Sequence, residues 1–294
     1  MKKILAIAIA TAISAPAMAD LTIGGSAEYN IASEDGATTQ SIETNLTISA
    51  SAAADNGVFV KAFTEIEMIG GGEANDAVDI DDNYLQIGNA DVNVMLGYFG
   101  TSSAFNSGDD SFEASYSTAG GITAGTAAAP QNLYKGNSLD DQNEQDVALN
   151  ITAIEGLTLQ VSGNLSTAGN DDTRAYASYT LGGVTLAGNI QSSDTAADDG
   201  YAVSAKTTLG GAVVAVSYAS NEDDDNAVAV TANMNGFDVT YVRFEDGANN
   251  TDETSFYGAY NVGSLGVPGL NVDLGAGSGS DRETKMGVEV TYAF

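Results

Sequence analysis

Segments of strict two-residue periodicity, connections that alternate between short and long, and an alternating strand that ends the chain on phenylalanine predict an all-β fold. The expected architecture is a closed antiparallel transmembrane β-barrel of 16 to 18 strands, with short turns at one end and longer acidic loops at the other. The last strand, "GVEVTYAF", is the clearest. Val288, Val290, Tyr292 and Phe294 take one face, and Gly287, Glu289, Thr291 and Ala293 the other. Chain ends are ordinarily frayed and polar, so an aromatic last residue implies a strand that is tied down and an end that is itself used.

At the other end, Lys2 and Lys3 precede the apolar run "ILAIAIATAIS", Pro16 follows, and Ala17 and Ala19 supply the small-x-small pattern of a cleavage site. Residues 1–19 are therefore expected to be a secretory signal peptide, and residues 20–294 a single barrel domain. The alternative, a membrane anchor or buried helix, meets the objection that the run is too short to span a bilayer comfortably.

Composition removes whole classes of function. The formal charge is −31, and loss of Lys2 and Lys3 with the signal makes it −33. Such a surface repels nucleic acid. The chain has no Cys and no His, so disulfides, thiolate metal sites, Cys or Ser-His nucleophiles and imidazole acid-base chemistry are out of reach. At 43% hydrophobic residues, with 13 Tyr and 9 Phe, it is too apolar for an acidic disordered coil. Only 3 Pro stand against 34 Gly, so the chain is equipped to turn without blocking strand pairing.

The strands come as hairpins, such as "TRAYASYTLGGVTLAGNIQ", "YAVSAKTTLGGAVVAVSYAS" and "AVAVTANMNGFDVTYVRFED". Their tight turns, at "ADNG", "GNAD", "AGG", "EG", "GG", "GG", "NG" and "SLGVPG", alternate with longer polar stretches. The latter include "SEDGATT", "GGGEANDAVD", "FGTSSAFNSGDD", "SSDTAADD" and "NEDDDN". One trimmed end and one decorated end are the pattern of an outer-membrane barrel. A soluble sandwich would not sort its loops this way, a solenoid would hold a fixed period, and a calcium β-roll would need tandem nonapeptides. A direct count gives about 18 strands, among them ones starting near Phe112 and, more weakly patterned, near Asn83 and Ile122, and an even number returns both termini to the short-turn side.

Parity assigns the faces. Leu21, Ile23, Tyr29, Ile31, Ile42, Leu46 and Ile48 look at lipid, which leaves a polar interior. The charged residues expected to line the pore are Glu28, Glu43, Lys61, Glu65, Glu67, Arg174, Lys206, Asp273, Lys285 and Glu289. A barrel this wide is not filled by such side chains, and the expected lumen is aqueous. Arg243 breaks the pattern, because Phe237, Val239 and Tyr241 put it on the lipid side. Either the strand emerges from the membrane or bulges there, or the side chain snorkels to lipopolysaccharide phosphate.

The signal, the hairpin series, the stretch "VMLGYFGTSSAF" and the ending "VEVTYAF" together resemble the general porins of Gram-negative bacteria, especially the short proteobacterial type. The resemblance spans essentially the whole mature chain. It implies a homotrimer in the outer membrane, in contact with its lipids and lipopolysaccharide. It also implies that the strand carrying Val288, Val290, Tyr292 and Phe294 is the recognition signal for the barrel-assembly machinery. By the same resemblance, the "LG" pair at Leu96 and Gly97 precedes a constriction loop from Phe99 to Asp110, with Asp109, Asp110 and Glu113 at the narrowest point. That loop is shorter than the family's usual one, and the facing wall lacks the family's cluster of basic residues.

Two functions of different class follow. The first is a water-filled, cation-selective channel for passive diffusion of ions and small hydrophilic solutes, which needs no catalytic residue. The second is an acidic calcium-binding surface or adhesin-like protein whose loops carry the function. An enzyme is not expected, since no local motif supports one. No cofactor is expected, apart from calcium bridging the acidic extracellular loops through oxygen ligands, against which stands a hydrated rim with diffuse counter-ions.

Overall fold

A computed structural model describes residues 20–34, 36–70, 77–105, 145–164, 173–192, 199–221, 224–246, 251–280 and 284–294. The expected signal segment and Asp109, Asp110 and Glu113 lie outside the described residues. In chain order the strands are β1 (Asp20–Glu34), β2 (Ala37–Ala53), β3 (Phe59–Gly70), β4 (Ala77–Gly88), β5 (Val92–Phe99), β6 (Gln145–Ile151), β7 (Leu157–Gly163) and β8 (Thr173–Leu181). They continue as β9 (Val184–Ser192), β10 (Gly200–Leu209), β11 (Ala212–Asn221), β12 (Asn226–Met234), β13 (Phe237–Asp246), β14 (Thr251–Asn261), β15 (Leu270–Gly279) and β16 (Lys285–Ala293). Each pairs antiparallel with its neighbour, and β1 pairs with β16, so the sheet closes into a 16-stranded barrel with no free edge.

The turn chemistry is what the glycine pairs require. Leu181 faces Val184, Leu209 faces Ala212 and Met234 faces Phe237 across two-residue loops, Gly182-Gly183, Gly210-Gly211 and Asn235-Gly236. Both residues of each loop have positive φ, the type I′ geometry whose twist matches that of the flanking strands. Closure is completed by the chain end. Phe294 and Gly25 exchange two backbone hydrogen bonds, each 3.0 Å. A Cβ on Gly25 would lie 2.1 Å from the Asn45 carbonyl oxygen and 3.0 Å from the ring of Phe294, so the bare glycine makes room for the terminal aromatic.

Three expectations need correction. The direct count of about 18 included strands near Phe112 and Ile122, whereas β5 pairs directly with β6 and leaves no place between them in the wall. The stretch "GGGEANDAVD" was expected to be loop, but its last three residues begin β4, their alternation being masked by the acids that follow. The "SEDGATT" loop is mostly strand, since Glu34 already faces Ala37.

Most exposed large hydrophobics of the strands fall on one face. Leu21 (66% exposed), Ile23, Leu186, Ile190, Val203, Val216, Phe256 and Leu274 all point outward, as a lipid-facing surface demands. Tyr29, Tyr201, Tyr218, Tyr241, Tyr260 and Tyr292 lie on the same face, the residue type that gathers where bilayer meets water. Arg243 also lies there, exposed at the long-loop end, with its Nη2 3.8 Å from the Glu245 carboxylate.

Candidate functional site

The inner face is divided into two unlike halves. The first begins where β5 leaves the wall. Gly97 has φ 132°, and a Cβ there would meet the Asn83 carbonyl oxygen at 2.3 Å, so the backbone bends where no side chain fits. The β5–β6 ladder shifts between Leu96 and Phe99. Phe99 is 1% exposed and meets Tyr84 edge-on, with ring centres 6.0 Å apart; Tyr84 in turn stacks on Phe63 at 5.1 Å. Lys61 places its ammonium 5.0 Å from the Phe63 ring centre, which makes the aromatic group a resting place for that cation. The Gly100 N–H donates to the Asp82 carboxylate at 3.3 Å.

From there residues 100–105 run inside the barrel along a cross-strand row. The register aligns Asn93, Asn150, Gln160, Tyr176, Asn189, Ala202, Ala219 and Ala227 on consecutive strands from β5 to β12. Because barrel strands are tilted and staggered, a row perpendicular to them climbs as it goes round. It starts at the short-turn end of β5 and finishes at the long-loop end of β12. Side-chain amides knit its lower part: Asn150 donates to Asn93 at 3.0 Å and Gln160 to Asn150 at 2.8 Å. The Ser102 N–H donates to Gln160 Oε1 and the Ala104 N–H to Asn189 Oδ1, both at 2.8 Å. One row higher, Arg174 is buried and donates from Nη1 to Thr101 Oγ1 at 3.0 Å. Phe105 ends the described segment in a cluster with Ala202, Ala219, Ala227, Ala229, Val242 and Tyr257.

The other half of the wall is acidic, and among the described residues no such segment lies against it. Asp273 faces Glu289 across β15 and β16, Glu28 faces Glu43 across β1 and β2, and Glu67 faces Asp79 across β3 and β4. The β3–β4 ladder slips between Thr64 and Ile66, so Glu65 stands against both Asp81 and Asp82. Like charges placed directly opposite destabilise a sheet, so this pattern is not one that folding alone favours. Amide donors partly offset it. Asn30 donates to Glu28 at 2.6 Å, Asn45 to Glu43 at 2.8 Å, and Asn261 to Asp273 at 2.9 Å. The carboxylates are spread along the wall rather than gathered: among the described residues no group of three or more is placed to hold a metal ion.

The inward charges expected from parity therefore separate in space. Glu28, Glu43, Glu65, Glu67, Asp273 and Glu289 share the acidic half, with Lys61 below Glu65 on β3 and Lys285 opposite Gly277 near the long-loop end. Arg174 lies across the barrel against the inner segment, and Lys206 is exposed close to the short-turn end of β10. Asp79, Asp81 and Asp82 also lie on the acidic wall, although the sequence pattern places the start of the strand only near Asn83. Ile80 between acids, continuing to Leu85 and Ile87 after a one-residue slip, was the available signal. Asp225 in "NEDDDN" is not a solvated loop acid, being 4% exposed and exchanging hydrogen bonds with Asn221.

Comparison with known proteins agrees with this geometry. A family model described as Gram-negative porin matches residues 6–294. A search of curated proteins returned no match. Among solved structures, engineered variants of the Rhodopseudomonas blastica porin superpose well. One with a single introduced tryptophan has a TM-score of 0.67 at 16% identity, one with two has 0.67 at 17%, and another two-tryptophan variant 0.66 at 17%. Each alignment covers 94% of this chain and 100% of the other. At such identities the likeness speaks for the fold.

Proposed function

Because this chain belongs to the Gram-negative porin family, channel proteins of the outer membrane, we propose that its barrel is a cation-selective pore for ions and small hydrophilic solutes. One observation carries the selectivity: the acidic half-wall from β15 through β16 and β1 to β4, where carboxylates outnumber Lys61 and Lys285, opposite the half along which residues 100–105 run. Solutes are thereby confined to the acidic side. In a water-filled cleft with low-dielectric walls, field lines are focused and potentials of several kT are ordinary, so cations concentrate and anions are depleted. The zero-current potential across a potassium chloride gradient tests this directly. A cation-selective sign is expected, and an anion-selective one would overturn the proposal. Family membership favours the channel over the acidic surface-protein alternative.

The assembly we propose is a homotrimer, made after removal of residues 1–19. The outer face supports it: β2, β3, β4, β6 and β7 present no aromatic ring there, while β8 to β16 present Tyr179, Tyr201, Phe237, Phe256 and Tyr292. A lipid-facing wall calls for aromatics at its borders. On the same side Thr64 donates to Asn83 at 3.1 Å, a polar pair better accommodated against protein than in hydrocarbon. Arg243 on the opposite side favours contact with lipopolysaccharide phosphate, and Phe294 favours recognition by the barrel-assembly machinery. Calcium at the acidic extracellular loops and a narrowing set by Asp109, Asp110 and Glu113 belong to the same proposal.

A further inference from the structure

We infer that Phe105 and the alanine row that receives it are the seat that sets the bore of the channel. The inference rests on reading the lumen as the conducting path. Ala202 faces Ala219 and Ala219 faces Ala227, one residue from each of β10, β11 and β12, and all three are fully buried. Ala229 faces Val242 beside them and is equally buried. Nothing in strand formation asks for alanine at these positions, since it is a poor strand residue and the barrel interior elsewhere carries amides, hydroxyls and carboxylates. What four buried alanines provide is depth, a shallow socket in the wall deep enough for one aromatic ring.

Phe105 fills it, at 4% exposure. The approach is guided by the residues just before. The N–H groups of Ser102 and Ala104, two residues apart, are taken by Gln160 and Asn189, which sit on the same cross-strand row as the alanines. The row acts as a rail whose polar part grips the backbone and whose apolar part takes the ring. The depth of this anchor therefore decides how far residues 100–105 stand out from their wall into the lumen. Burying a phenyl ring stabilises more than either backbone hydrogen bond contributes. Phe105 is therefore the dominant tether, and Gln160 and Asn189 are positioning residues.

A size swap tests the seat, read as single-channel conductance of protein whose heat-modifiable gel migration shows it folded. Phe105→Ala removes the tether, and conductance should rise by about 1.5-fold or more as the bore widens. Ala219→Leu fills the socket from the wall, pushes the ring into the lumen, and should lower conductance. Combining the two restores one large side chain to the socket and should bring conductance back toward the parent value. Changes of the same sign, no change, or no return in the double variant would overturn the inference. If Ala219→Leu does not fold, Asn189→Leu replaces it: both it and Phe105→Ala must raise conductance, and failure of either overturns the seat. Selectivity is read separately. A parent channel that proves anion-selective while Phe105→Ala still widens it would sink the acidic-wall proposal and leave the seat standing.

Discussion

Replacing Glu28, Glu43 and Glu67 together by Gln removes three neighbouring charges from the middle of the acidic wall, on β1, β2 and β3. Gln keeps an oxygen acceptor for Asn30 and Asn45, so the local hydrogen bonds survive. An ion passing at about 7 Å feels each carboxylate by about 0.6 kcal/mol in bulk water. A Debye length of about 10 Å at 0.1 M salt halves this to about 0.3 kcal/mol, or about 0.9 kcal/mol for the three. Cations lose that much and anions gain it, so the cation-to-anion permeability ratio should fall by about 20-fold, with field focusing in the cleft pushing the figure higher. At 1 M salt the Debye length is about 3 Å, and the same substitutions should change the ratio by no more than about twofold. The assay is the zero-current potential in planar bilayers at both salt levels. Asp55→Asn with Glu155→Gln, both exposed at the turns of the other end, is the control and should leave the ratio nearly unchanged. Relief of the opposed Glu28–Glu43 pair should also raise thermal stability slightly, by about 0.2–1 kcal/mol. A folded triple variant with the parent's ratio at 0.1 M would refute the view that ions pass along this wall.

Deleting Phe294, or replacing Gly25 by Ala, should each sharply reduce the folded barrel recovered from membranes, the second because any Cβ collides with the Asn45 carbonyl oxygen beneath the terminal ring; parent-like heat-modifiable migration in the Gly25 variant would dismiss the seat for Phe294. Gly97→Ala forces a side chain into φ 132° and onto the Asn83 carbonyl oxygen, and should lower stability in urea by about 1–3 kcal/mol or more. An unchanged unfolding midpoint would show that β5 reaches the lumen another way. At matched ionic strength, calcium should raise the melting temperature above that in chelator if the acidic loops bridge it. Identical curves would rule bridging out.

Residues 20–294 announce much of this barrel locally. Side chains alternate with period two, so a stretch such as Leu21, Ile23, Tyr29 and Ile31 against Glu28 and Asn30 already states which face meets lipid. The glycine pairs at 182–183 and 210–211 and the Asn235-Gly236 step likewise demand tight turns, because only such residues accept positive φ twice in succession. From these alone come the fold class, the polar interior and the inward side of Glu43, Glu65 and Lys61. Tertiary structure decided what parity cannot express. Parity assigns a face, but not which residue of a distant strand stands opposite. That depends on the stagger with which the barrel closes, on the slip opposite Glu65 that brings Asp81 and Asp82 together, and on β5 finding β6 directly. Hence the sorting of carboxylates to one half, and of Asn189, Ala202, Ala219 and Ala227 into a row that grips Ser102 to Phe105 from the far side of the sequence, appear only once the ring is shut. Facing is set by neighbours one bond away along the chain, whereas juxtaposition is set by a closure condition on all sixteen strands at once.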